Sequence, residues 1–353
     1  MKITRTQTKV IHIGGIPIGG GHPIVVQSMT STDTRDITAT VAQIHALEQA
    51  GCEIIRVAVP DAEAANAIRD IKKSIHIPLV ADIHFDHRLA IEAVKNGADK
   101  LRINPGNIGS DNRVRQVAEA AKAAEIPIRV GVNGGSLEKS LLQKYGGPTA
   151  EALAESALKN VSQLEKHGFT NIVVSVKTSS VPLLIDAHRI LMEKIPYPLH
   201  IGLTEAGTPY KGAIRSAAGL GALLSMGIGD TVRVSLSGDP TAEIPAAREI
   251  LAAMGLRPYG PRVIACPTCG RTTTDVAAIA ARVEARVAHI KKPITIAVMG
   301  CEVNGPGEAR EADIGIAGGR NKVGLLFKKG EIVAKLSDSE LEDALVAACA
   351  EIS

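Results

Sequence analysis

Eight short apolar runs recur along the first two-thirds of the chain, at about 24–29, 53–59, 78–84, 100–106, 127–133, 172–178, 199–205 and 231–237. Each is followed by a stretch such as 36–50, 62–73 or 113–124, where apolar residues return every three or four positions, the mark of a half-buried helix. Ser110-Asp111 and Asp239-Pro240 supply helix starts. Alternating strands and helices impose a parallel sheet, because each helix must carry the chain back before the next strand begins. Eight cycles in about 230 residues suit a (β/α)8 barrel, which usually takes about 250; an open doubly wound sheet is the competitor. Aromatic residues make up only 2% of the chain, so Val, Ile, Leu and Ala must fill its core, as such an α/β fold allows. Residues 8–22 alternate and then turn on glycines, which predicts a small hairpin ahead of the barrel.

Read with period two, the strands gather polar residues on one face near their C-terminal ends. Arg56, Asp82 with His84, Arg102 with Asn104, Arg129 with Asn133, Ser175 with Lys177, and Arg233 with Ser235 all fall there. Barrel enzymes keep their active sites at that end. A single strand arginine is most often half of a structural ion pair. Five cations from five strands are harder to accommodate, since like charges repel and each is costly to desolvate without an anion. The sequence offers few facing acids, Asp82 and Glu205, so the ligand is expected to bring the missing negative charge. The guanidinium fork suits phosphate oxygens, which points to a small, highly anionic ligand such as a diphosphate. The glycine-rich loops 133–136, 204–209 and 235–240 agree with this, the latter two leading into helix N-termini that attract anions. Glu205 reads equally as a general acid or base and as an orienting partner for an arginine.

Around Arg257-Pro-Tyr-Gly-Pro261 the pattern breaks, giving a barrel over 1–258 and a smaller α/β domain over 259–353. There, Cys266-Pro-Thr-Cys269-Gly-Arg follows one strand (262–265), and Met-Gly-Cys301-Glu-Val-Asn-Gly-Pro-Gly-Glu308 follows another (295–299). Paired, these strands would set both turns side by side. Three thiolates are one short of the four that structural zinc or an ordinary iron–sulfur cluster takes. Cys52, in an apolar run, and Cys349, in an Ala-rich terminal helix, read as core thiols. The fourth ligand is therefore a carboxylate, solvent or substrate, and Glu308 is the nearest carboxylate, though it reads as well as a solvated loop residue. Spacing leaves iron–sulfur and zinc both open.

A net charge of +3 and the scarcity of aromatics argue against nucleic acid. No apolar run approaches the ~18 residues of a membrane span, and five cysteines suggest no disulfide framework; a soluble, cytoplasmic protein is expected.

The cysteine segments, with Gln27-Ser-Met-Thr30, Ala81-Asp-Ile-His-Phe85, Leu101-Arg-Ile-Asn-Pro-Gly-Asn107, Arg129-Val-Gly-Val-Asn133 and Gly202-Leu-Thr-Glu-Ala-Gly207, resemble the bacterial 4-hydroxy-3-methylbut-2-enyl diphosphate synthase family, also called IspG or GcpE. The resemblance covers essentially the whole chain, without the large insertion of plant members. It implies conversion of 2-C-methyl-D-erythritol 2,4-cyclodiphosphate to 4-hydroxy-3-methylbut-2-enyl diphosphate, with two electrons passed through a [4Fe–4S] cluster. It implies Cys266, Cys269 and Cys301 as cluster ligands and Glu308 on the fourth iron. Arg56, Asp82, His84, Arg102, Asn104, Arg129, Asn133, Lys177, Arg233 and Ser235 match substrate-binding positions, with Ser175 beside Lys177, and Glu205 matches a glutamate thought to be catalytic. Flavodoxin or ferredoxin as electron donor, and a homodimer in which one subunit's cluster domain closes over the partner's barrel, are implied likewise. Two other readings remain: a phosphate-binding barrel synthase of the pterin-binding kind with structural zinc, and a non-catalytic iron–sulfur carrier. The second leaves the cationic mouth unexplained.

Overall fold

In the computed structural model, which describes residues 3–301, 309–319, 321 and 323–352, the eight apolar runs form eight strands of one parallel sheet. They follow a hairpin of β1 (Ile11–Ile13) and β2 (Ile16–Ile18), and are β3 (Val25–Met29), β4 (Ile54–Ala58), β5 (Leu79–Asp82), β6 (Lys100–Ile103), β7 (Ile128–Asn133), β8 (Ile172–Lys177), β9 (His200–Ile201) and β10 (Thr231–Val232). The sheet order is β8-β7-β6-β5-β4-β3-β10-β9. A parallel bridge between Val174 and Leu199, with Val174 N–H donating to the Pro198 carbonyl (2.9 Å), brings β8 against β9. The sheet is thus a nearly closed barrel, not an open one.

The helices start where their capping residues stand. The carboxylates of Asp36 and Asp61 accept from Ala39 and Ala64 N–H, taking up donors that a helix start leaves free. Ser110 precedes its helix without such a bond. The last two strands are shorter than their apolar runs. Beyond them Thr204 N–H still meets the Thr178 carbonyl and Arg233 N–H the Ile201 carbonyl, but Leu236 N–H turns to the Glu243 carboxylate, where the ladder has ended.

Strand register sets what faces inward. Met29 pairs with Arg56, Arg56 with Val80, Val80 with Lys100, Asp82 with Arg102, Arg102 with Arg129, and Asn133 with Lys177. Partners in a parallel ladder share a face, so the polar residues near the C-terminal ends of β4 to β8 point inward together. At the N-terminal ends, Val25, Ile54, Val80 and Val173 form one apolar cluster with Ile11, Ile13 and Ile18 of the hairpin. The expected hairpin is therefore the floor of the barrel.

The chain divides into two units, Met1–Arg257 and Pro258–Ser353. The second is a five-stranded sheet in sequence order: β11 (Arg262–Ala265), β12 (Thr295–Met299), β13 (Ile314–Ala317), β14 (Val323–Lys328) and β15 (Glu331–Ser337). The first three are parallel and the last two antiparallel to their neighbours. Alternation along β12 splits its two faces. Ile296 and Val298 join a core with the helices Val276–Val287 and Asp338–Ile352, while Ala297 and Met299 pack with Phe327.

Candidate active site

At the C-terminal end of the barrel a cavity of about 250 Å³ is lined by Arg56, Asp82, His84, Arg102, Arg129, Asn133, Ser175, Lys177, Arg233 and Ser235, together with Met29 and Thr204. Every substrate-contact residue expected from the sequence except Asn104 is in that lining. Asn104 instead caps the short helix Pro105–Ile108, its side chain accepting from Gly106 N–H (3.1 Å). The volume lies below the range of drug-sized ligand pockets, so it suits a small ligand.

Three of the five cations are held by neighbours. Asp82 lies 3.8 Å from Arg56, 3.2 Å from Arg102 and 3.4 Å from His84. Burial pushes its carboxyl up, but Arg56, His84 and Arg102 together hold it well below the usual range. Arg102 also reaches the Gly131 carbonyl. A Cβ on Gly131 would stand 2.4 Å from Arg102 Nε, so only glycine leaves room for the guanidinium to lie across β7. Arg56 donates to Met29 Sδ (2.8 and 3.0 Å) and its pKa falls to about 10, chiefly through burial. Arg233 donates to the Glu243 carboxylate (3.1 and 3.2 Å).

Arg129 is different. It is 1% exposed, and its Nε and Nη1 find no hydrogen-bond partner among the described residues. Lys177 likewise has no carboxylate within ion-pair distance among them. Burial, then repulsion from neighbouring cations, holds both pKa values well below normal. A buried donor left unpaired costs about 1–3 kcal/mol, more for a charged group, so this pocket is built at a cost that an anion would recover.

Glu243 and Met29 went unmarked in the sequence. Glu243 opens the helix Glu243–Ala253 but points inward, 2% exposed, accepting from Ser28, Arg233 and Leu236 N–H. A glutamate in a first helical turn ordinarily reads as dipole stabilisation, which hid it. Its presence, and the Asp239 carboxylate accepting from Thr241 N–H, also correct one expectation: the helix end after residues 235–240 is already satisfied and does not cradle an anion. Glu205 lies four residues beyond β9, exposed, outside the cavity lining, with a left-handed φ of 54°. That backbone is strained for a glutamate.

In the second unit the two cysteine turns are side by side, as pairing of β11 with β12 requires: Ala265 stands opposite Val298, and Cys266 N–H donates to the Val298 carbonyl. Thr273 staples one turn to the other, its N–H and hydroxyl both reaching the Gly300 carbonyl (2.9 and 3.3 Å). A Cβ on Gly318 would come 2.6 Å from Thr273 Oγ1, so glycine there keeps the staple. Within Cys266–Cys269, Thr268 takes a φ of 63°, and Cys269 N–H donates to Thr272 Oγ1. Cys266 is half-buried and lines a cavity of about 620 Å³, Cys269 is exposed and Cys301 buried. Glu308 lies outside the described residues. Cys52 and Cys349 are buried core thiols, raised by burial to about 12 and about 11.

The only three described His, Cys, Asp or Glu residues whose donor atoms all lie within 4.8 Å of one another are His45, Glu48 and His76. Those groups already serve as a brace, His76 and Ile77 N–H donating to Glu48 and His45 Nε2 meeting the Ser74 carbonyl. The three cysteines do not converge that closely.

Fold and pocket define a barrel enzyme with a cationic cavity and an appended thiolate-bearing α/β unit. Residues 8–248 match the GcpE TIM-barrel domain and residues 262–351 the GcpE protein C-terminal domain. Proteins named 4-hydroxy-3-methylbut-2-en-1-yl diphosphate synthase (flavodoxin) are similar along their lengths. That of Caldanaerobacter subterraneus subsp. tengcongensis is 60% identical over 97% of this chain and 96% of its own, and that of Ruminiclostridium cellulolyticum 56% over 99% of each. Among solved structures, dihydropteroate synthase from Stenotrophomonas maltophilia (TM-score 0.52, 17% identity) covers 71% of this chain and 100% of its own, a likeness of barrel fold alone. The chain belongs to the GcpE family, and it is an enzyme of the oxidoreductase class in isoprenoid biosynthesis. Among the described residues no helix is long and apolar enough to cross a membrane.

Proposed function

We propose that the protein, as a homodimer, converts 2-C-methyl-D-erythritol 2,4-cyclodiphosphate to (E)-4-hydroxy-3-methylbut-2-enyl diphosphate by reductive ring opening and dehydration. The observation that carries this is Arg129, a buried guanidinium with two nitrogens lacking acceptors among the described residues, in a mouth where five cations meet two carboxylates. The diphosphate docks against Arg129, Arg102 and Lys177, which replace its water with fixed donors. Asp82 and Glu243 hold Arg56, Arg102 and Arg233 in place meanwhile, so the pocket need not reorganise when charge develops. Ring opening frees a diphosphate oxygen, and the same guanidinium groups receive its charge. Glu205 protonates the departing hydroxyl, which leaves as water.

Cys266, Cys269 and Cys301 would hold a [4Fe–4S] cluster, with Glu308 proposed as its fourth ligand. When bound, that cluster supplies two electrons singly, drawn from a flavodoxin or ferredoxin, and a Lewis-acidic iron. The match of both units to the GcpE family supports a cluster over a single zinc ion.

Oxygen-free purification with metal and sulfide counting tests the cofactor, and thermal shift with inorganic diphosphate tests the pocket. About four irons and four sulfides per chain are expected, with a clear rise in Tm. Zinc without sulfide would favour a barrel synthase of the pterin-binding kind; an unmoved Tm would overturn the diphosphate pocket.

A further inference from the structure

Two residues below the mouth, along the inward face of the strands, lies a polar layer that the proposed reaction leaves unused. Gln27 stands below Met29 on β3, Lys100 below Arg102 on β6, and His200 below Gly202 on β9. All three are essentially without exposure, and none lines the cavity. The closest partner of Lys100 Nζ is the amide oxygen of Gln27, at 3.4 Å. Gln27 Nε2 and His200 Nε2 have no partner among the described residues, and His200 Nδ1 shares a 2.8 Å hydrogen bond with Thr231. Below is the apolar floor.

An ammonium at Lys100 has no described carboxylate within ion-pair distance. Asp82 on β5 is spent on Arg56, Arg102 and His84, and Glu243 on Arg233. The charged groups acting on it are Arg129 on β7 and Arg56 on β4. Guanidinium groups do not give up their protons in proteins, so the conflict falls on the amine. Burial, then repulsion from Arg129 and Arg56, holds its pKa well below normal. His200 is pressed the same way, by burial first and then by Arg129, Lys177, Lys100 and Arg56. An anion at the mouth reverses that field.

We propose that Lys100 is a proton site coupled to the anion pocket: it gains a proton when a diphosphate docks on the arginines above it, and its charge then helps to hold that ligand. The step adds one proton to a neutral amine. No bond to the ligand forms, nothing is oxidised or reduced, and the new N–H donates to Gln27. Lys100 thereby acts through Arg102 and Arg129 as a positioning residue. The idea rests on reading the mouth as a diphosphate site.

The test is calorimetry of inorganic diphosphate binding to cluster-loaded, full-length wild type and Lys100→Met at pH 8, in two buffers of different ionisation enthalpy. Because the ligand's own ionisation is common to both proteins, the difference in protons bound isolates Lys100. Wild type should take up about one more proton than the variant. The variant should bind about tenfold or more weakly still near pH 7, and because one extra proton taken up changes the affinity ratio about tenfold per pH unit, the deficit should shrink as pH rises and the amine stays neutral in both states of wild type. Equal proton counts with binding intact remove Lys100 and leave the mouth standing; wild type that binds no diphosphate overturns the mouth itself. Methionine fills similar volume and replaces a buried neutral amine whose closest partner is Gln27 at 3.4 Å, so the fold should hold. Lys100→Gln repeats the comparison should it not. Loss of binding in both variants, each still folded, would mean that Lys100 touches the ligand, which overturns a site beneath it.

Discussion

The barrel mouth and the cysteine turns solve the same problem in opposite ways. In the barrel, register and neighbouring side chains fix Arg56, Arg102 and Arg233 before any ligand is present. In the smaller unit, hydrogen bonds fix the backbone of both turns, through Thr272 and Thr273, while the sulfurs stand apart, one of them exposed. One site is made rigid by its own charges and the other through its backbone. Mutations should therefore separate the two: damage to the turns abolishes chemistry without touching anion binding, and damage to the mouth weakens anion binding without touching iron content.

The largest expected effect is at the turns. Removing a group that merely orients a metal ligand costs about 10–100-fold, so Cys266→Ser should lower turnover by more than roughly a thousandfold. Iron content should fall with it. Inorganic diphosphate should still raise the variant's Tm as in wild type, because each unit has its own core. A Cys266→Ser protein with full iron and full rate would remove that cysteine from the ligand set.

Next comes Arg129→Met. Losing two charge-assisted donors, each worth about 1.5–3 kcal/mol, should weaken diphosphate binding by on the order of a hundredfold or more. Without ligand the variant should be as stable as wild type or more so, since it sheds a buried, unpaired charge. A marked fall in the Tm of ligand-free protein would instead make Arg129 a structural residue with a partner of its own.

These two regions were not equally legible in the sequence. The β–α rhythm and the period-two placement of Arg102, Arg129 and Lys177 led to the right fold and cavity lining, because strand geometry leaves inward residues nowhere else to go. The cysteine turns were legible as turns following strands, and pairing of β11 with β12 brought them together. What escaped was side-chain direction outside the strands. Asn104 turned back to cap a helix. Glu243, on a helix, reached inside, while Glu205, past the end of β9, stayed outside the lining with a left-handed backbone. Lys100 was hidden differently: within an inward-facing run it read as part of a strand, and only its burial without a counter-ion sets it apart.

The last of the expected effects asks whether the rigidity of the mouth is electrostatic. Asp82 is the shared partner of Arg56, Arg102 and His84, and its carboxyl is held well below the usual range. A depressed carboxylate adds stability that is present in full above the unfolded pKa, near 3.9, and is lost as pH falls toward the folded value. Asp82→Asn should therefore cost about 3 kcal/mol or more from pH 8 down to about 5, the scale of breaking a buried pair from one side. Below about pH 4 wild type progressively loses the same contribution, so the two denaturation curves should converge there. Curves that stay parallel into acid would mean that Asp82 holds the mouth by shape and hydrogen bonding rather than by charge. The contrast between a mouth fixed by its own charges and turns fixed through their backbone would then fail on the barrel side.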